Sequence, residues 1–215
     1  MSPFPLALVD RAESLLDRSD RAVLGITGPP GSGKSTLTSA LLSALASRLG
    51  ADAVGHLPMD GFHLADVQLD RLGLRDRKGA PVTFDVDGYV AALARLHSSP
   101  KSVLYAPGFE RELEQPIAAA IAIPPSARLV VTEGNYLLLP HGGWQHVHPL
   151  LAEAWFVGVD DDVRRSRLVR RHEEFGKSPD AALAWVDQVD EPNARLVSST
   201  REAADLIVKA TSFAG

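Results

Sequence analysis

A three-layer α/β fold on a doubly wound parallel sheet is the architecture this sequence predicts, and three observations carry that reading. Short apolar runs recur at 22–27, 54–59, 103–105, 129–132, 155–159 and 206–208. Stretches with helical spacing, at 36–49, 87–97, 163–174 and 180–189, separate most of them. The first run also passes directly into a glycine-rich turn that opens a helix. Strands alternating with helices imply right-handed crossovers and a parallel sheet, with ligands expected beyond the carboxyl ends of the strands. At 215 residues and 45% hydrophobic, the chain suits one sizeable core, so residues 1–215 are expected to form a single domain with a small lid.

Taken in order, residues 4–18 carry Leu6, Leu8, Val9, Ala12, Leu15 and Leu16, which predicts an amphipathic helix leading into the first strand. After that strand comes Gly28-Pro29-Pro30-Gly31-Ser32-Gly33-Lys34-Ser35-Thr36. Gly28, Gly33, Lys34 and Ser35 fill the spacing G-x-x-x-x-G-K-[ST], a phosphate-binding P-loop. Glycines are needed because successive backbone N–H groups must turn inward on one polyphosphate, which a Cβ would obstruct. Lys34 can neutralise β- and γ-phosphates and Ser35 can offer its hydroxyl to Mg²⁺. Leucines at 37, 41, 42, 45 and 49 make the next segment a helix whose N-terminus favours anions. The class is therefore a P-loop NTPase fold, with ATP and Mg²⁺ as expected cofactors.

Function should sit just past the later strands. The second run ends in Pro58-Met59-Asp60-Gly61-Phe62-His63. An Asp released there, beside a P-loop, is where a kinase needs a base for the attacking hydroxyl, although an isolated Asp-Gly would otherwise read as a turn. The fourth run ends in Thr132-Glu133-Gly134-Asn135-Tyr136, which makes Glu133 the metal-side carboxylate; a buried carboxylate with a purely structural bond is the other reading. Arg164, Arg167 and Arg171 fall at i, i+3 and i+7, on one helical face. That stripe reads either as a solvated surface or, next to a nucleotide, as a lid over about 163–178 that closes on the transferred phosphoryl group. Segments 64–86, 106–126 and 140–149 are rich in Pro, Gly and charge and read as long functional loops.

Composition excludes several classes. A net charge of −5 disfavours nucleic acid as a partner, and the two small basic clusters (Arg71, Arg75, Arg77 and Lys78; Arg164 to Arg171 with Lys177) suit a compact phosphorylated ligand better. No apolar run is long enough to span a bilayer, the first residues lack a basic leader, and there are no cysteines, so the expectation is a cytoplasmic protein without membrane or disulfide chemistry.

In motif order the chain resembles the P-loop kinases of the uridine kinase, phosphoribulokinase and bacterial pantothenate kinase superfamily. The resemblance runs through the P-loop, residues 58–63, residues 77–85, Pro107-Gly108-Phe109-Glu110-Arg111, residues 133–136 and the arginine stripe. It is similar in feel to bacterial proteins called nucleoside/nucleotide kinase-like or fructose transport system kinases. The resemblance implies Asp60 as base, Lys34, Arg167 and Arg171 as catalytic cations, and Arg164 and Asn193 at the nucleotide. A plain helix start with Pro192 in its first turn explains Asn193 equally well. It also implies Phe84, Asp85 and Lys78 around the acceptor, with His63, Glu110, Arg111 and Tyr136 as further candidates, and a homodimer. Departures are His172, Phe175 and Lys177, where uridine kinases continue the lid with Asp and arginines. The expected activity is ATP-dependent phosphorylation of a hydroxyl on a small metabolite; the alternative is a nucleotide-dependent switch or chaperone NTPase with no small-molecule acceptor.

Overall fold

A computed structural model describes residues 5–99 and 101–210. In chain order the main elements are α1 (Leu6–Ser14), β1 (Ala22–Thr27), α2 (Lys34–Leu49), β2 (Val54–Pro58), α3 (Asp66–Leu72), α4 (Val86–Ser98), β3 (Leu104–Glu110), β4 (Gln115–Ile123), β5 (Leu129–Gly134), β6 (Glu153–Gly158), α5 (Asp161–Glu174), α6 (Pro179–Trp185), α7 (Glu191–Ser198) and β7 (Leu206–Lys209). Five strands form one parallel sheet in the order β2-β5-β1-β6-β7. β1 and β5 are buried along their whole length, which is why they read as unbroken apolar runs rather than as alternation.

The sheet separates two cores. Leu24, Ile26, Val131 and Trp155 pack with Leu37, Leu41 and Leu45 of α2 and with Val9 and Ala12 of α1. On the other face Val23, Leu57 and Val130 pack with Tyr89, Leu93 and Leu96 of α4 and with Trp144. The expected first helix, 4–18, is described from Leu6 and continues into a 3₁₀ turn at Leu15–Asp17; its first residue lies outside the described residues. Among the described residues no helix is long and apolar enough to cross a membrane.

Two expectations about segments are corrected. The run at 103–105 does not join the parallel sheet, and 106–126 is not a loop: β3 and β4 pair antiparallel as a separate hairpin, irregular between Ala106 and Gly108. Pro107, Pro116 and three successive alanines hid the strand signal, since these residues carry little strand propensity and proline tolerates only edges or bulges. Likewise, 64–86 contains α3. The stretch 180–189 is α6 followed by a π-helical turn, Val186–Asp190, which runs on into α7.

Candidate active site

The P-loop descends from the end of β1, and Gly33, in the left-handed region, precedes Lys34 as the N-cap of α2. No side chain caps this sixteen-residue helix, so its first N–H groups are left for an anion. Gly31 has φ +77°, and a Cβ there would stand 2.9 Å from the Arg164 carbonyl oxygen and from Leu168 Cγ. The loop is therefore held between the sheet and α5. Pro30, Lys34 and Ser35 line a cleft of about 700 Å³, while Thr36 follows on the exposed side of the first turn.

Adjacent strands bring the acids to the same edge. Pro58 of β2 is in register with Glu133 of β5, so a two-residue overrun places Asp60 beside the P-loop, on the cleft wall. Ser35 Oγ donates to Glu133, 3.2 Å from each carboxylate oxygen. Burial pushes the Glu133 carboxyl up against the pull of Lys34, and Asp60 adds to that rise. Burial lowers the Lys34 ammonium, while Glu133 and Asp60 favour its charge. A serine hydroxyl and a carboxylate are hard oxygen donors, which fit Mg²⁺ completed by phosphate and water oxygens.

Beyond Asp60 the cleft is walled by His63, Asp66, Arg75, Lys78, Phe109, Arg111 and Asn135. Lys78 is bound to Asp66 at 2.8 Å and to the Glu114 carbonyl oxygen, and Arg75 takes the other Asp66 oxygen at 2.8 Å. Arg111, at the hairpin tip, makes no ion pair among the described residues and faces the same charge cluster as Lys34 and Glu133. Gly61 lies directly under the Pro107 carbonyl, so the hairpin rests on the turn that presents Asp60.

Several expected residues stand elsewhere, each for a visible reason. Phe84 is buried against His63, Tyr136 and Trp144, and Asp85 caps α4 by accepting from Gly88 N at 2.9 Å. Both line a second cavity of about 560 Å³ instead of the cleft. Tyr136 is buried, its hydroxyl donating to the Gly79 carbonyl. Glu110 is an exposed residue that accepts from Glu112 N. In the arginine stripe, Arg171 lines the cleft and Arg167 is exposed outside it. Arg164 is 2% exposed and tied to Asp161 (3.0 Å) and Glu191 (2.6 Å), so its guanidinium braces α5 against α7 instead of facing the cleft. Asn193 does line it.

The cleft also holds two of the lid departures with partners the sequence did not point to: His172 paired with Asp190 at 2.7 Å, and Lys177 over the Trp185 ring at 4.5 Å. Asp190 closes the π turn, and such single turns occur often at functional sites. No local pattern announces a pair eighteen residues apart.

No family model matches the chain. A Schizosaccharomyces pombe protein provisionally named uridine kinase C227.14 is 33% identical over 208 residues, covering 94% of this chain and 88% of its own length. The uncharacterized Escherichia coli protein YggC is 32% identical over 211 residues, with 96% and 85% covered. A crystal structure from Silicibacter sp. TM1040, provisionally named a fructose transport system kinase, superposes with a TM-score of 0.83 at 34% identity, covering 94% of this chain and 98% of that one. Likeness of this extent, on a sheet and P-loop of this geometry, places the chain in the uridine kinase-like family of ATP-dependent P-loop kinases.

Proposed function

We propose that this protein transfers the γ-phosphoryl group of ATP to a hydroxyl of a small metabolite: a nucleoside, a sugar or a pantothenate-like alcohol. The observation that carries the reading is the meeting of Asp60, Lys34 and Arg171 in one cleft beside the uncapped start of α2. Asp60 would accept the proton of the attacking hydroxyl and aim its oxygen. Lys34, the loop amides and Arg171 would neutralise charge spreading over the transferred group, with Arg167 brought in by closure of the lid. Ser35 and Glu133 would hold Mg²⁺, which supplies neutralisation of the phosphate oxygens. Asn193 and the face of the lid helix would bound the nucleotide, and Lys78 and Arg111 the acceptor.

ADP release from ATP and Mg²⁺ should rise when uridine, D-ribose, D-fructose, glycerol or pantothenate is added singly. Turnover indifferent to every such acceptor would favour a switch NTPase. Asp60→Asn should remove acceptor-stimulated turnover by about 10²- to 10⁴-fold while sparing ATP binding; undiminished turnover would take Asp60 out of the mechanism.

A further inference from the structure

His63 stands three residues after Asp60 and lines the same cleft. Its Nδ1 lies 2.9 Å from the Asp60 carbonyl oxygen. A carbonyl can only accept, so Nδ1 carries the proton. The ring is fixed in place: its centroid is 4.0 Å from that of Phe84 and 4.9 Å from that of Phe109, and the His63 and Phe84 backbones form a β-bridge. Burial holds the imidazole in its neutral form, with Asp60, Lys78 and Glu114 as the charged groups around it. In that tautomer Nε2 is a bare acceptor, and it has no hydrogen-bond partner among the described residues, nor is it among their sealed-off polar atoms. Two acceptor groups, the Asp60 carboxylate and His63 Nε2, thus face a ligand that must supply donors.

We infer that His63 selects the acceptor: Nε2 receives a hydrogen bond from a second hydroxyl of the metabolite whose first hydroxyl is aimed at Asp60, so the substrates are polyhydroxylated compounds such as sugars, polyols or ribosyl groups rather than simple alcohols. This rests on the kinase reading above and narrows it. A site built to bond a hydroxyl rejects the analogue lacking it, because the bound ligand shuts water away from Nε2 and leaves it unpaired.

The test is a cycle of variants and analogues. With whichever of uridine, D-ribose, D-fructose or glycerol gives the highest kcat/KM, the set of its mono-deoxy analogues is assayed against wild type, His63→Phe and His63→Gln. One deoxy position should cost wild type about 10- to 100-fold in kcat/KM. His63→Phe should lose as much with the parent compound, through the acceptor KM and with the ATP KM unchanged, and should lose nothing further with that analogue. His63→Gln, whose side-chain oxygen can stand near the Nε2 position, should recover part of the loss. Equal sensitivity to that deoxy analogue in wild type and His63→Phe overturns the proposal. So does an Nε2-protonated His63 in a nitrogen-detected NMR spectrum of the intact protein, a readout independent of turnover and of the stability of either variant. If no compound stimulates ADP release, the kinase reading falls first and takes this one with it; stimulation untouched by His63→Phe removes His63 alone.

Discussion

At the phosphate end of the cleft Lys34, Ser35 and Glu133 hang from buried strands of the parallel sheet or from the first turn of α2: Lys34 and Ser35 follow β1, and Glu133 sits at the end of β5. At the acceptor end the groups come from a detached two-stranded hairpin, short helical turns and the lid, and side-chain pairs hold them: Lys78 with Asp66, Arg75 with Asp66, His172 with Asp190. The first arrangement is rigid because moving it would break sheet hydrogen bonds and expose core. The second can move at the cost of contacts such as the partly exposed Arg75–Asp66 ion pair, a kind that contributes about 0–1 kcal/mol. In the kinase reading proposed above, one end would hold a fixed chemistry and the other would be reshaped around different acceptors.

The largest effect should come from the rigid end. Lys34→Met removes an ammonium that Glu133 and Asp60 both stabilise, and kcat/KM for ATP should fall on the order of 10³-fold with every acceptor alike. Steady-state assays with two unrelated acceptors check this. A loss confined to one acceptor would mean the two ends are not separable in the way described.

Next comes Gly61→Ala, at the seam between the ends. A Cβ there meets the Pro107 carbonyl, a backbone group, and neither side can yield by rotating a side chain. The hairpin must lift, at about 1–3 kcal/mol in a chemical-denaturation experiment. The acceptor KM should rise by about tenfold or more while nucleotide affinity, titrated separately, stays within about twofold. A parallel loss of nucleotide affinity would show that the hairpin also supports the P-loop.

The same division explains what could be read from the sequence. The P-loop, Asp60 and Glu133 are legible because strand, turn and helix follow one another within a few residues, and local geometry fixes what they face. Arg164 misleads for the converse reason: its helical spacing with Arg167 and Arg171 is real, but Asp161 and Glu191 capture the guanidinium, and Glu191 lies twenty-seven residues away. The hairpin was hidden by prolines and alanines, and Asp190 reaches the cleft through a π turn that no hydrophobic period encodes. Phe84 and Asp85 look like acceptor residues from their motif, yet an aromatic cluster and a helix cap account for both.

The smallest effect is a pH dependence that probes whether the acceptor end opens by itself. Burial lowers the pKa of His56, on β2, and of His63, at the acceptor end. For each, the unfolded chain takes up a proton near pH 6.5 that the folded chain refuses, so stability should fall as pH drops below about 6.5 towards the lower folded value. The slope is at most about 1.4 kcal/mol per pH unit per histidine. Urea denaturation of wild type and His56→Leu between about pH 7.5 and 5.5 separates the two contributions. If both ends unfold together, His56→Leu keeps part of the wild-type slope, and the double variant with His63→Phe loses that part. If the acceptor end opens locally, His63 takes its proton without global unfolding, and adding His63→Phe to His56→Leu changes nothing. The second result would sharpen the contrast between the ends into a difference in dynamics, because the loops that carry His63 would then exchange with solvent while β1, β5 and the P-loop stay closed.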